Sequence, residues 1–244
     1  MDSLRGKVAL ITGASKGIGR ATARKMAEGG ANMVIASTSK DLLDSLVKEV
    51  KESGVKALAV KCDVTELSDC GDLVQQALAE FGRIDILVNN AGVGFSGKVV
   101  DSVPEEIEQM IKVNILGVYY MTRSVLPAMI EKECGDIVNI ASVAGLKYSP
   151  NFAMYSATKF AVRAFSEGLR NEVQPHNIRV ILIHPGMTKT NFFEKFARGG
   201  LRVPQDKGDI LKPEVIADAI CFAISQSEGV ALNEITVRPA WQER

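Results

Sequence analysis

Short apolar runs rich in branched residues recur along this chain at 7–12, 32–36, 57–61, 84–88, 136–140, 178–183 and 231–237. Runs of that length and composition read as strands buried on both faces. Helical patterns lie between them, at 20–28, 41–53, 66–80, 104–131, 153–173 and 213–227. Pro213 suits the first position of the last helix, where a missing N–H is no loss. Strands alternating with helices point to a parallel sheet covered on both faces and joined by right-handed crossovers. The expected class is α/β, one doubly wound parallel sheet of about seven strands. A single domain over residues 1–244 is normal at this length. No linker, repeat or low-complexity stretch interrupts the pattern. Only the segment at about 188–212 lacks clear periodicity, and it reads as a mobile substrate loop.

The first repeat carries a second signal. The strand Lys7–Thr12 runs into Thr12-Gly13-Ala14-Ser15-Lys16-Gly17-Ile18-Gly19, and helical composition follows from Arg20 to Glu28. Strand, glycine turn and helix form the setting of a Rossmann-type dinucleotide site. The glycines allow a tight turn and a close backbone approach to a pyrophosphate resting on the helix N-terminus. The spacing here is Gly-x-x-x-Gly-x-Gly, not the better-known Gly-x-Gly-x-x-Gly. A plain β–α turn is the competing reading of the glycines alone.

Tyr155 and Lys159 stand four apart in Tyr-Ser-Ala-Thr-Lys, so a helix over 153–170 places both on one face. A phenol holds its proton to about pH 10. A fixed positive charge nearby favours the phenolate. Lys159 is thus expected to lower the Tyr155 pKa, which makes Tyr155 the expected acid or base. By itself such a pair is equally a surface lysine beside a half-buried tyrosine. Asn114 and Ser142 upstream, with the glycine turn, give it weight.

Composition bounds the setting. Lys+Arg and Asp+Glu number 29 each, so the net charge is zero, unlike the basic footprint of a nucleic-acid binder. No apolar run is long enough for a membrane span. The first residues, Met-Asp-Ser-Leu-Arg-Gly-Lys-Val, hold no secretory hydrophobic region. Cys62, Cys70, Cys134 and Cys221 lack metal-ligand spacing, and only His176 and His184 are available as imidazoles. Reduced thiols, a cytoplasmic location and no metal site are expected. His184, before Pro185-Gly186, reads as a partly buried strand-end residue.

Together the motifs resemble the short-chain dehydrogenase/reductase family over nearly the whole length. Those that carry the resemblance are Thr12-Gly13-x-x-x-Gly17-x-Gly19, Asp63, Asn89-Asn90-Ala91-Gly92, Asn114, Ser142, Tyr155-x-x-x-Lys159 and Pro185-Gly186. The resemblance implies that Tyr155 exchanges a proton with the substrate oxygen and that Ser142 hydrogen-bonds that oxygen. It implies that Lys159 holds the nicotinamide ribose, and that Asn114 holds a water linking Lys159 to solvent. Asn90, Ala91 and Gly92 would line the cofactor, with Asp63, and Val64 beside it, at the adenine. Pro185, Gly186, Thr188 and Thr190 would hold the carboxamide end.

Cofactor choice depends on charge beside the adenosine ribose. An acid at the end of the second strand binds the free 2′-hydroxyl of NAD and repels the 2′-phosphate of NADP. Here that strand runs into Ser37, Thr38, Ser39 and Lys40, with no acid. NADP(H) is therefore expected over NAD(H). Many NADP-dependent relatives carry an arginine near position 38, so the clamp would rest on Ser37, Thr38, Ser39 and Lys16. Lys40 reads equally as a solvated residue of the helix's first turn.

The substrate is expected to be a small carbonyl or alcohol. Candidate wall residues are Val143, Leu146, Phe152, Met187, Phe192, Phe193 and Phe196. Lys189, Lys195, Arg198 and Arg202 would favour an anionic group, or simply form a solvated face. The first 190 residues resemble 3-oxoacyl thioester reductases. The tail Asn233–Arg244 resembles instead those of NADP-dependent 3-hydroxy acid dehydrogenase-like members. Trp241 and apolar excess on the long helices (Val118, Tyr119, Tyr120, Met121; Phe160, Ala161, Ala164, Phe165) fit a homodimer or homotetramer, or a two-sided core contact. A non-catalytic dinucleotide-binding module is the alternative of a different class.

Overall fold

In the computed structural model, which describes residues 4–190, 192, 210–227 and 229–242, the alternation becomes a seven-stranded sheet. The strands are β1 (Val8–Thr12), β2 (Asn32–Ser37), β3 (Ala57–Lys61), β4 (Ile86–Asn89), β5 (Gly135–Ile140), β6 (Ile178–Pro185) and β7 (Glu234–Val237). Their order is β3-β2-β1-β4-β5-β6-β7, and every neighbouring pair is parallel. The helices are α1 (Gly17–Glu28), α2 (Lys40–Lys51), α3 (Leu67–Phe81), α4 (Pro104–Ile111), α5 (Gly117–Glu131), α6 (Ala153–Val173) and α7 (Pro213–Ile224).

Side chains alternate across a strand, so a sheet covered on both sides must be apolar on both. Ala9 and Ile11 of β1 face α1, α2 and α7, packing with Met26, Leu43 and Ile216. Val8 and Leu10 face the opposite layer, with Leu73 of α3, Met121 of α5 and Leu169 of α6. This is why the strands read as unbroken apolar runs. Among the described residues no helix is long and apolar enough to cross a membrane, and the four cysteines are free thiols.

Two sequence expectations change. The single helix expected at 104–131 is α4 and α5 joined by a π-helical turn at Lys112–Leu116. The last helix stops at Ile224 and the last strand begins at Glu234, so both are shorter than their apolar patterns. Leu232 packs on the core ahead of β7 and starts the strand's apolar pattern early, whereas Ser225 and Gln226, just past α7, turn their side chains back onto the Phe222 carbonyl. The loop expected at 188–212 is pinned at its base: Lys189 N–H donates to Leu211 at 2.7 Å, and Leu211 N–H to Met187 at 2.9 Å. Residues 191 and 193–209 lie outside the described residues, and with them Phe193, Lys195, Phe196, Arg198 and Arg202.

A polar ladder crosses the core behind the site. Asn89 Nδ2 donates to Thr122 Oγ1 at 3.0 Å and to Asn139 Oδ1 at 2.9 Å. Asn139 Nδ2 donates to Ser166 Oγ at 2.8 Å. The chain of bonds ties α5, β4, β5 and α6 together at one depth. Asn139→Ala leaves buried polar groups short of partners and opens a small void. It should lower the unfolding free energy by about 1–3 kcal/mol, read from urea denaturation; an unchanged midpoint would refute this role for the ladder.

Candidate active site

The chain order reverses between β1 and β4, which opens a crevice at the carboxyl ends of those strands. A cavity of about 970 Å³ lies there. Its rim is tied across the crevice. Thr12 Oγ1 accepts the N–H groups of Asn90 and Ala91, both at 3.1 Å. Asn90 Nδ2 donates back to the carbonyls of Thr12 at 2.9 Å and Gly13 at 3.1 Å. The Asn90 side chain thus holds the glycine turn rather than facing a ligand, although the residue does line the cavity.

Gly13, Ser15, Lys16, Gly17 and Ile18 form one wall. The first N–H groups of α1 have no partner within the helix, and its first turn carries no acidic residue. That end therefore offers donors and a positive dipole to an anion. Gly19 does not line the cavity. It packs behind the wall, where an added Cβ would lie 2.4 Å from Asn90 Nδ2. Having no Cβ, it lets the glycine turn and the Asn90 side chain approach closely.

Ser37, Thr38, Asp63 and Val64 line the far end. One Asp63 oxygen, Oδ1, accepts from Thr65 N–H at 3.0 Å and Thr65 Oγ1 at 2.8 Å. Lys16 lines the same cavity, whereas Lys40 and Ser39 do not. Among the serines and lysines considered for a phosphate clamp, Lys16, Ser37 and Thr38 are therefore the ones gathered.

Ala91, Gly92, Pro185, Gly186, Thr188 and Thr190 line the middle. Thr188 is buried, and its Oγ1 donates to the Gly186 carbonyl at 2.9 Å. The tail folds back onto this turn. Gln242 Oε1 accepts the Met187 N–H at 2.9 Å, and Arg238 Nη1 donates to the Gln242 carbonyl at 2.7 Å. Gln242 is thereby part of the wall. Sequence reasoning did not find it, because no local pattern announces a side chain delivered by a terminal tail.

Ser142, Tyr155 and Lys159 meet on the wall beside this turn. Ser142 leaves β5 in extended conformation and begins a short 3₁₀ turn, its Oγ accepting the Ala144 N–H at 3.1 Å. That turn lies directly on α6, since a Cβ on Gly145 would stand 2.9 Å from the Lys159 carbonyl. Tyr155 and Lys159 occupy the first turns of α6, both nearly buried. Phe152 and Phe192 flank the Tyr155 ring, at centroid distances of 6.5 and 5.8 Å.

The electrostatics depart from expectation. Burial pushes the Tyr155 hydroxyl up to about 12, against a lowering by its hydrogen bond with Ser142. Burial also pulls the Lys159 ammonium down to about 8. The Tyr155 hydroxyl thus lies above its ordinary value, not below it as expected from the neighbouring Lys159, because burial outweighs the Ser142 hydrogen bond. Lys159 Nζ stands 5.9 Å from the ring centroid and donates to the Ile140 carbonyl at 2.9 Å.

Asn114 sits in the π turn and is buried. Its Oδ1 accepts the Val93 N–H at 2.9 Å, and its Nδ2 donates to Val93 O at 2.8 Å and Thr158 Oγ1 at 3.1 Å. Both amide protons are spent on protein, and the residue is not part of the cavity wall. The side chain splices the loop after β4 to α6. Of the expected substrate contacts, Val143, Phe152, Met187 and Phe192 line the cavity, and Leu146 does not. His184, expected to be partly buried, is fully buried.

A family model described as short chain dehydrogenase matches residues 7–199. An uncharacterized oxidoreductase of Staphylococcus saprophyticus is 38% identical over 246 residues, covering 99% of each chain. A 3-ketoacyl-(acyl-carrier-protein) reductase from Brucella melitensis, solved with NADH, is 36% identical with a TM-score of 0.89 over 98% of this chain and 99% of that one. The closed form of a serine dehydrogenase, solved with NADP+, is 30% identical with a TM-score of 0.91, covering 97% and 96%. With sequence, sheet order and cavity in agreement, the chain belongs to the short-chain dehydrogenase/reductase family of oxidoreductases.

Proposed function

We propose that this chain is an NADP(H)-dependent carbonyl reductase or alcohol dehydrogenase, moving a hydride between nicotinamide and a small carbonyl or hydroxy compound. The observation that carries this reading is the meeting of Ser142, Tyr155 and Lys159 in the cavity that the glycine turn also lines. A bound dinucleotide supplies the hydride. The Tyr155 hydroxyl gives its proton to the substrate oxygen in reduction and takes it back in oxidation. The Ser142 hydroxyl holds the same oxygen where charge develops. Lys159 binds the ribose hydroxyls and, when charged, favours the phenolate. Phe152, Met187 and Phe192 exclude water around the reacting carbon.

The preference for NADP(H) rests on Lys16, Ser37 and Thr38 lining one cavity, with no acid in the Ser37-Thr38-Ser39-Lys40 run at the end of β2. Reduction of a 3-oxoacyl thioester is the second reading, favoured by the likeness to the Brucella reductase. The tail Asn233–Arg244, whose sequence resembles those of 3-hydroxy acid dehydrogenase-like members, favours the small-carbonyl reading. A dimer or tetramer would cover the exposed aromatics Tyr119 of α5 and Phe160 of α6. A cytoplasmic location suits the free thiols.

The experiment is NADPH oxidation against a carbonyl panel: an acetoacetyl thioester, a short 3-oxo ester, a diketone, an aromatic aldehyde and a ketosteroid. Turnover on one of the small carbonyls carries the reading, and turnover on the thioester alone replaces it with the second. Tyr155→Phe should keep NADPH binding and lower kcat by about 10²-fold or more. Wild-type binding without turnover across the panel would favour a dinucleotide-binding module.

Lys16→Ala should raise the Kd for NADPH by about three- to tenfold and leave that for NADH unchanged. Higher catalytic efficiency with NADH in the wild type would overturn the NADP preference.

Lys159 sets a pH signature in stability. Its pKa is lowered to about 8 in the folded chain from 10.5. Between those values the unfolded chain binds a proton that the folded chain has released, so folding is favoured as pH rises. Relative to Lys159→Met, the wild type should gain up to about 3 kcal/mol across this window. Urea denaturation of both proteins at about pH 7 and about pH 10 reads the difference, and a constant gap would refute it.

A further inference from the structure

A buried ring lies beneath the Ser142 turn and is not part of the cavity wall. His184, near the end of β6, has no exposed surface. Its Nδ1 lies 3.0 Å from the backbone carbonyl of Ser142. A carbonyl oxygen only accepts, so this contact requires the proton on Nδ1. The same oxygen also accepts the Gly145 N–H at 2.8 Å. The Ser142 carbonyl is therefore held from two sides, by β6 and by its own turn.

The second nitrogen faces a charged pair. Nε2 stands 3.5 Å from Glu234 Oε2 on β7 and makes no hydrogen bond. Arg163 of α6 grips that carboxylate, with Nε 3.0 Å from Oε1 and Nη2 3.4 Å from Oε2. Glu234 and Arg163 are the charged groups that face the ring. Burial pulls His184 below the ordinary imidazole value; the Ser142 carbonyl and Glu234 oppose this, and Arg163 adds to it. The ring is accordingly neutral near pH 7 and holds one proton between two acceptors. Moving it to Nε2 would set a lone pair against the Ser142 carbonyl. The shorter contact identifies the nitrogen that keeps it.

We propose that His184, as the neutral Nδ1–H tautomer, is a positioning residue that fixes the Ser142 carbonyl and thereby the aim of the Ser142 hydroxyl. This rests on the reading of Ser142 given under Proposed function. The ring touches neither substrate nor cofactor in this scheme. It acts by denying the turn between β5 and α6 a rotation that would carry the hydroxyl off line, while Glu234 and Arg163 lie at its outer edge.

The chain has only two histidines, so ¹⁵N-histidine labelling with a His176→Gln variant for assignment isolates the His184 ring. The Nδ1–H tautomer is expected near neutral pH; an Nε2–H tautomer or a rotating ring overturns the proposal without reference to activity. Kinetics give the second arm. His184→Leu fills the space without a donor, and His184→Asn restores an N–H near the position of Nδ1. We expect His184→Leu to lower kcat about tenfold with NADPH affinity held within about twofold, and His184→Asn to recover most of the loss. Equal losses in both variants, or a parallel loss of NADPH affinity, would reduce His184 to packing. Ser142→Ala separates the two readings. If it keeps wild-type turnover, the role of the serine fails and the proposal falls with it. If it loses turnover while His184→Leu keeps it, the positioning role alone fails.

Discussion

The hydrogen bonds of Thr12 and Asn90 across the mouth of the sheet are the constraint on which the site depends. A doubly wound sheet must open where its winding reverses, and that opening is between β1 and β4. Without a tie, the glycine turn after β1 and the loop after β4 would be two independent surface segments. Thr12 Oγ1 takes the N–H groups of Asn90 and Ala91 just past the end of β4, and Asn90 returns its amide to the glycine turn. Both edges of the crevice are then one rigid object. The close contact of Gly19 with Asn90 shows how little room that arrangement leaves.

The opposite wall is built on the same principle, with polar groups in the core acting as register marks. Asn139 lies on β5 shortly before Ser142, and its ladder to Asn89, Thr122 and Ser166 fixes β5 against α5 and α6. Asn114 then joins the loop after β4 to the start of α6 through Val93 and Thr158. Apolar packing alone tolerates small slips between helix and sheet. A buried amide does not, since a slip leaves it unpaired at a cost of about 1–3 kcal/mol. Burial of these groups thus supplies the positional accuracy that proton transfer requires.

The fold was legible because each strand is buried on both faces, which writes its identity into a local run of residues. The glycine turn, Ser142, Tyr155 and Lys159 were legible because short motifs carry them. What stayed hidden is what distant residues decide together. The π turn at Lys112–Leu116 conforms to the periodicity of a plain helix over so short a span. Asn114 was visible as a residue, but its partners, Val93 and Thr158, are set by tertiary contact. The direction of the Tyr155 shift was misjudged because a sequence shows charge and spacing but not desolvation. Gln242 and His184 gain their roles only when the tail and β7 close on the end of β6.

Those shifts place one requirement on any chemistry in this site. Tyr155 at about 12 and Lys159 at about 8 are both displaced toward their uncharged forms. Each shift is the signature of a pocket that disfavours isolated charge. A phenolate and an ammonium formed together would stabilise each other in the same low-dielectric space, where attraction is stronger than in water. Loss of the Tyr155 proton is therefore easier when Lys159 holds its own. The hydroxyl of Ser142 lies against the tyrosine side of that pair, and the carbonyl of Ile140 against the lysine side. The end of β5 supplies both contacts. Strand β5, fixed at depth by its asparagine ladder, thereby sets how the two groups share charge.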